Sequence, residues 1–253
     1  PNDEPASVLL ERIKAEKERL IKEGKIKRSK KSAKSSDTPH YPYLLPNGWE
    51  WCNLEDIVCE LKYGTSEKSL SVGKIAVLRM GNITNVGTID YSNLVYSSNN
   101  EDIKLYSLEK DDLLFNRTNS SEWVGKTAIY KKEQPAIYAG YLIRIRPILI
   151  FSDYLNTVMN SSYYRNWCYN VKTDAVNQSN INAQKLSQLM AIFCYYLLPV
   201  RQILLLLIHK LKVINEYIQQ GLPFHGAALT ILFTSLVFSL QSYIYLHGSN
   251  PVR

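Results

Sequence analysis

The sequence predicts an α/β (α+β) protein in which a mixed-sheet domain follows a long helix of the coiled-coil type and precedes an atypical, helical C-terminal region. Three observations support this architecture. Apolar residues recur at helical spacing near the start, short apolar runs bounded by turn residues fill the middle, and charge almost disappears after about residue 190. At 253 residues and 45% hydrophobic content, the chain is long enough for one sizeable domain with extensions.

The first predicted element is a helix over residues 4–23. Pro5 suits a first helical turn, and Gly24 is placed to end the helix. Lys and Glu cover most of its surface and leave a narrow apolar stripe, so we expect association with a second helix, possible self-association included. A lone solvated helix is the alternative, although isolated helices of this length are marginal in water. The stripe consists of Ala6, Leu9, Leu10, Ile13, Leu20 and Ile21.

Residues 25–46 are predicted to be a basic, flexible linker. Six basic residues and no acidic residue lie between Lys25 and Lys34, and three prolines follow before residue 47. Such a segment either contacts phosphates without sequence preference or is simply solvated.

Residues 47–190 are predicted to form one domain of helices and strands. A short helix is expected at 54–61, and a second at 152–167 with Ser152 or Asp153 as its N-cap. The segment between the third and fourth strands is too long and too rich in hydrogen-bond donors for a tight hairpin, which favours a surface that reads a ligand. Strands bounded by Gly, Asn, Ser or Pro are expected at 75–80, 88–91, 112–117, 127–130 and 137–146.

Residues 191–253 differ abruptly in character from the rest. Only five charged residues lie between Ser187 and Arg253, and the apolar run at 226–246 is about long enough to span a bilayer. A membrane-anchored adaptor is therefore an alternative function, although no cluster of Lys or Arg flanks the run.

Charge and cysteine usage limit the function further. The formal net charge of +7 favours a polyanionic partner, either nucleic acid or an anionic membrane. The four cysteines form no C-x-x-C pair and lie far from the four histidines, so neither a zinc site nor a disulfide scaffold is supported. We expect a cytoplasmic protein without a metal or other cofactor.

Catalytic motifs do not occur as complete sets. Gly125-Lys126-Thr127 imitates the end of a P-loop, but Ser120 stands where that motif requires glycine. Asp56, Glu60 and Lys62 are residue types found in nucleases, without a second carboxylate cluster to hold a metal. We therefore expect a non-catalytic protein, with a metal-dependent nuclease as a further alternative.

Polar loops flanked by aromatic residues favour DNA recognition. Arg, Asn and Gln match the edges of bases in the major groove, while Lys, Ser and Thr hold phosphates. Any single loop is better explained as a turn whose Asn and Ser side chains bond their own backbone, and it is the set of four on one basic domain that favours DNA. The candidate DNA-binding residues are Lys62, Tyr63, Thr65, Ser66, Arg79, Asn82, Arg117, Asn119, Ser120, Lys126, Gln178 and Asn180.

Motifs in a fixed order along the chain resemble the specificity subunit of a type I restriction-modification enzyme. The segment 111–117 is similar to the family's Gly-Asp-Leu-Leu-Phe-Asn-Arg, with Asp111 in the glycine position. The resemblance covers about residues 1–189. The matching segments are 3–10, 23–27, 45–49, 63–66, 77–83, 111–117 and 178–182, together with Leu186 and Leu189.

This resemblance implies a role in DNA recognition without chemistry of the chain's own. Each target recognition domain of the family reads one half of a bipartite site in double-stranded DNA, and long helices space the two halves. Residues 1–24 would be the end of the central spacer, and residues 47–190 the second target recognition domain. Modification subunits would carry the adenine methyltransferase, and restriction subunits would complete the complex. Arg117 and Asn119 would contact bases or phosphates, and Lys126 a phosphate.

The resemblance ends near residue 190. Family members continue into a Pro-rich stretch with Glu-Gln and then a second long charged helix, whereas only Pro199 and Gln202 keep their approximate places here. Because charge and motif are lost together, we expect residues 191–253 to come from a shifted reading frame or a disrupted gene.

Overall fold

The computed structural model describes residues 5–28 and 48–193, with side chains as far as residue 190. Most of the predicted linker lies outside the described residues. So does the region from residue 194 onward, which includes the candidate membrane span at 226–246 and nearly all of the segment expected to be out of frame.

Helix α1 spans Ala6–Lys22 and confirms the first predicted element. Part of its apolar stripe packs within the chain: Ala6, Leu9 and Ile13 are buried. Lys17 Nζ also donates a hydrogen bond to the backbone oxygen of Glu55, in the next helix of the chain. The N-terminal half of the stripe therefore packs against its own domain, where the sequence suggested a partner helix.

The domain is built from short elements. After α1, the helices are α2 (Leu54–Ile57), α3 (Asn100–Tyr106), α4 (Ser152–Val158), α5 (Ser162–Val171) and α6 (Ala183–Ser187). The strands are β1 (Glu50–Asn53), β2 (Val58–Tyr63), β3 (Ile75–Leu78), β4 (Val95–Ser97), β5 (Leu113–Asn116), β6 (Thr118–Asn119), β7 (Thr127–Ile129), β8 (Ala136–Tyr138), β9 (Leu142–Pro147), β10 (Thr173–Ala175), β11 (Gln178–Asn180) and β12 (Met190–Phe193).

Within the described residues these strands form four sheets. The largest is antiparallel in the order β2–β9–β5–β7, and the second is mixed, since β3 is antiparallel to β4 and parallel to β8. The third has the order β10–β11–β6, and β1 pairs with β12. One apolar core joins the first two sheets and includes Leu78, Leu114, Tyr130, Tyr138 and Leu142. The fold is the mixed-sheet α/β (α+β) architecture that the sequence predicts.

Strand β5 shows how an uninterrupted apolar run becomes a strand covered on both faces. Leu113, Leu114 and Phe115 are all completely buried, and β9 and β7 pair with β5 on its two sides. The antiparallel pairing of β5 with β7 places the polar segment 117–126 between them, as the sequence predicts.

Two predicted elements are wrong in type or extent. The helix expected at 54–61 ends at Ile57, because residues 58–63 pair with β9 and become β2. At 88–91 the structure has no strand, and Ile89 forms only an isolated bridge with Ile83. At 58–63 the pairing with the distant strand β9 decides the structure, and local periodicity does not.

Two other predicted elements are each divided in two. The strand expected at 137–146 is β8 and β9, separated by a turn that contains Gly140. The helix expected at 152–167 is α4 and α5, because the Ser161 side chain accepts a hydrogen bond from the Tyr164 amide (3.2 Å) and caps a new helix.

Candidate nucleic-acid interface

Four strands end at the same edge of the domain, which we term the strand-end edge: the ends of β2, β3, β5 and β8 and the residues that follow them. β2 and β5 both run antiparallel to β9, and their last residues, Tyr63 and Asn116, lie opposite the first residues of β9. β8 turns into β9 through residues 139–141, and β3 is parallel to β8 with Leu78 opposite Tyr138. Since neighbouring strands are only about 4.8 Å apart, the loops that follow these ends converge.

Arg117 lies in the middle of this edge. Its guanidinium carbon is 4.8 Å from the centroid of the Tyr63 ring, and its Nη1 donates to the Gly140 carbonyl (3.4 Å). The Arg117 amide donates to the backbone oxygen of Tyr141 (3.0 Å), and the Tyr63 hydroxyl accepts a hydrogen bond from the Ala183 amide (2.9 Å). The guanidinium is therefore held against a ring that is itself fixed at its far end.

The arginines of the domain divide into two groups by their partners. Five lie between residues 48 and 193. In the body of the domain, Arg144 and Arg146 form ion pairs with carboxylates. Among the hydrogen bonds of the described residues, Arg79, Arg117 and Arg165 donate to backbone carbonyls and to no carboxylate. The latter three follow strand ends or contact the segment 117–126, so none of the arginines at this edge has a carboxylate partner among the described residues.

The segment 117–126 is an ordered turn. The Ser120 carbonyl accepts hydrogen bonds from the amides of Trp123 (3.0 Å) and Val124 (2.9 Å), and the Ser120 amide donates to Asn119 Oδ1 (2.8 Å). Gly125 has a φ of +86°, a backbone conformation that side chains with a Cβ rarely adopt. The self-bonded turn that was the alternative for each loop is thus present here, and it holds Asn119 and the exposed Ser120 in fixed positions.

Lys126 lies at the end of this segment and is half-buried. Its Nζ is 5.3 Å from the Trp123 ring centroid and 3.3 Å from Asn85 Oδ1, which belongs to the loop after β3. Burial, with a smaller contribution from the charge of Arg165, lowers the pKa of Lys126 from its ordinary value. The lysine therefore links two of the loops that follow strand ends.

Residues distant in the sequence meet at this edge through the third sheet. β6 pairs with β11, so that Asn119 lies opposite Ser179 and Thr118 opposite Asn180. Asn180 Nδ2 also donates to Thr118 Oγ1 (2.7 Å), and the Ile181 amide donates to the Arg117 carbonyl (2.9 Å). The candidates Gln178 and Asn180 are thereby brought beside Arg117 and Asn119.

Other candidates use their polar groups within the protein. Lys62 Nζ donates to the Leu105 carbonyl (2.8 Å), on the side of β2 that faces α3. Thr65 is buried and its hydroxyl donates to Asp102. Asn82 is buried, and its side chain bonds the Arg79 amide (2.8 Å) and the backbone oxygen of residue 90 (2.8 Å). Ser66 and Arg79 remain exposed.

The residues that suggested a nuclease have separate structural roles. Asp56 accepts a hydrogen bond from the Asn53 amide (3.2 Å) at the start of α2, and Glu60 pairs with Arg144 (2.7 Å). Within the part of the chain that the structure describes, His, Cys, Asp and Glu side chains form no group of three that is arranged to hold a metal ion.

Two residues at this edge escaped the sequence analysis. Tyr141 is 54% exposed and follows Gly140 in the turn between β8 and β9. The predicted continuous strand at 137–146 concealed this turn, although Gly140, an isolated glycine within a strand pattern, is a signal for a break there. Arg165 lies on α5 and bonds the carbonyls of Val124 (3.2 Å) and Glu122, a contact that no local pattern indicates.

No helix in the described ranges, 5–28 and 48–193, is long and apolar enough to cross a membrane.

Comparison with known proteins shows that the chain is similar in sequence to curated proteins. The chain is 37% identical over 167 residues to the specificity subunit of the type I restriction enzyme EcoAI of Escherichia coli, an alignment that covers 64% of this chain and 27% of that protein. It is 30% identical over 196 residues to the EcoEI specificity subunit of the same species, covering 74% of this chain and 33% of the relative. The chain thus spans a third or less of the length of these curated relatives. No family model matches it.

A solved structure is also similar. The HsdS subunit from Thermoanaerobacter tengcongensis aligns with 92% of this chain and 52% of its own, at a TM-score of 0.48 and 14% sequence identity.

Proposed function

Because this chain is a homologue of the specificity subunits of type I restriction enzymes, we propose that its domain, residues 47–190, recognises one half of a bipartite site in duplex DNA. The domain would act as the second target recognition domain, and α1 as the end of the spacer that separates the two half-sites. The chain would supply binding and no catalytic step. Partner modification subunits would carry out methylation, and restriction subunits would carry out cleavage, in the cytoplasm.

The observation that supports this proposal most directly is the strand-end edge. Loops from four strands converge there, and three of the five arginines of the domain follow those strand ends or contact the segment 117–126 without a carboxylate partner. A duplex carries one negative charge per about 1.7 Å of its axis, so arginines without a carboxylate partner would be attracted to it.

The residues at the edge have distinct proposed roles. Arg79 and Arg117 would contact phosphates or guanine, since a planar guanidinium makes two parallel hydrogen bonds to either. Ser66, Ser120 and Lys126 would contact phosphates. Asn119, Gln178 and Asn180 would reach base edges, and Tyr63 would fix Arg117. The remaining candidates, Lys62, Thr65 and Asn82, would support the loops from within.

Association through α1 belongs to the same proposal. With Ala6, Leu9 and Ile13 already buried, the remaining apolar residues of the stripe would contact a spacer helix of another chain or of a second copy.

The test is binding of the full chain to a pool of duplexes with random sequence, followed by sequencing of the bound fraction. We expect one short motif to be enriched and the affinity to fall steeply as salt concentration rises. Binding without salt dependence, or a bound fraction with no sequence preference, would overturn the proposal. Adding modification subunits of a type I system checks assembly independently.

A further inference from the structure

A β-hairpin projects from the domain beside the strand-end edge. β10 and β11 are joined by a two-residue turn, Val176–Asn177, with Ala175 paired to Gln178. The side chains toward the tip are open to solvent, and Val176 is 98% exposed. Of the large apolar side chains that the structure describes as exposed, Val176 has the greatest exposed fraction.

The strand register shows which way this hairpin points. β6 continues outward from the end of β5, and β11 runs back along it, with Asn180 opposite Thr118 and Ser179 opposite Asn119. Gln178 and the turn therefore lie beyond the end of β6, farther out than Arg117. Two residues, Ser179 and Gln178, separate Asn180 from the turn, so at about 3.3 Å per residue the tip lies roughly 10 Å beyond Asn180 along the strand.

The base of the hairpin is held on several sides. Lys172 Nζ bonds the Asp174 carboxylate (2.6 Å), which also accepts a hydrogen bond from Ser179 Oγ. Lys185 Nζ bonds Thr173 Oγ1 (2.7 Å). The hairpin is thus preorganised, and its only charge, that of Asp174, is paired at the base and absent from the tip.

The dimensions and chemistry of this element match the major groove of DNA. The groove is about 12 Å wide and about 8.5 Å deep and admits a two-stranded ribbon. Its floor offers thymine methyl groups, which an exposed valine can contact, and the paired donor and acceptor of adenine, which Asn and Gln side chains match. A neutral tip suits the groove floor, and Arg117, which lies beside the base of the hairpin, would reach the phosphates.

We propose that the hairpin Thr173–Asn180 enters the major groove and that Val176, Asn177 and Gln178 read base identity there. This inference rests on the proposed function, and it adds the element and the side chains that set the sequence preference. A protein partner is the competing occupant, since β10 is an edge strand. DNA is favoured because β6 ties the hairpin directly to Arg117 and Asn119, and because the roughly 10 Å from Asn180 to the tip is comparable with the groove depth of about 8.5 Å.

The test compares the double variant Val176→Ala/Asn177→Ala with the wild-type chain in the random-duplex selection. Neither residue has a positive φ, so alanine fits the turn. Val8→Ala is the matched control, because Val8 is also an exposed valine (45%) but lies on α1. Helix α1 packs on α2, which precedes the start of β2, whereas the strand-end edge lies at the other end of β2, at Tyr63. Thermal unfolding of each variant verifies folding.

We expect preference at one or two base pairs to fall about ten- to hundredfold in the double variant, while affinity for a non-target duplex and its salt dependence stay unchanged. Gln178→Ala, tested alone, should weaken preference at one base pair. If the wild type shows a preference that these variants retain, the inference is wrong and the proposed function stands. Loss of binding to modification subunits with preference retained also overturns it and assigns the hairpin to a protein interface. Absence of any sequence preference in the wild type overturns both.

Discussion

The guanidinium of Arg117 stacks on the ring of Tyr63, with its central carbon 4.8 Å from the ring centroid. This contact joins the last residue of β2 to the first residue after β5. Stacking on an aromatic face holds a guanidinium in place and leaves N–H donors in its plane available for a ligand. The pair is therefore a preorganised cation at the point where the loops converge.

Replacing Arg117 by alanine should lower the affinity for duplex DNA and reduce the slope of log affinity against log salt by about one, the value for one lost phosphate contact. If Arg117 reads guanine, preference at that base pair should also drop, by about 1–3 kcal/mol. Fluorescence anisotropy titrations at several salt concentrations measure both effects.

Lys14→Ala is the control for this experiment, because Lys14 is a cation on α1 whose side chain is 72% exposed. It should leave the affinity nearly unchanged. Arg117→Lys should restore the salt dependence but not the base preference, since lysine keeps the charge and loses the planar pair of donors. An equal loss in Lys14→Ala and Arg117→Ala would show that only total charge matters.

Gly64→Ala should destabilise the domain by several kcal/mol. A Cβ at this position would lie 2.5 Å from the Ala139 carbonyl oxygen and closer still to that of Tyr138, and backbone atoms cannot move aside as a flexible side chain can. Gly81→Ala is the matched comparison, since nothing lies within 4 Å of the equivalent Cβ and its φ is not positive. Urea unfolding of both variants measures the difference. Similar midpoints for the two would contradict the close approach of Gly64 to β8.

The buried carboxylate of Asp112 should matter far more to stability than the exposed one of Glu109, although both bind Arg146. Asp112 is 1% exposed and accepts two hydrogen bonds from Arg146 (2.7 and 2.8 Å), whereas the Glu109 side chain is 70% exposed. Asp112→Asn should cost about 3 kcal/mol because it leaves a half-buried guanidinium poorly paired. Glu109→Gln should cost less than about 1 kcal/mol. Equal unfolding free energies in urea for the two variants would refute this ranking.

Local patterns in the sequence were enough to predict the elements whose structure is locally determined. The amphipathic spacing from Ala6 to Ile13 predicts α1, and the apolar run at Leu113–Phe115 predicts the buried strand β5. Both follow from periodicity and continuous hydrophobicity, which the tertiary structure then reinforces.

Local patterns could not predict which distant segments pair with each other. The periodicity of residues 54–61 predicts a helix, but residues 58–63 pair with β9, about eighty residues later, and form a strand. The sequence analysis selected the polar loops of the site by their composition alone. The pairing of Thr118 with Asn180 places two of these loops, 116–121 and 177–182, side by side. Asn82 shows that residue type alone does not identify a DNA contact, because a side-chain amide that can bond a base edge can equally well bond the backbone of a loop.

The hairpin should loosen in acid, because the pKa of Asp174 is held below its ordinary value by hydrogen bonds from Lys172 and Ser179. A carboxyl group with a lower pKa in the folded state adds stability above its unfolded pKa of about 3.9, and this contribution is lost as pH falls through the folded-state value. NMR titration of the Val176 methyl groups and the Asp174 carboxyl carbon should therefore show one joint transition below pH 4. Asp174→Asn should remove that transition and leave the hairpin looser at neutral pH. An Asp174 carboxyl that titrates at its ordinary pKa, or Val176 methyl signals that do not follow it, would show that this network does not hold the hairpin.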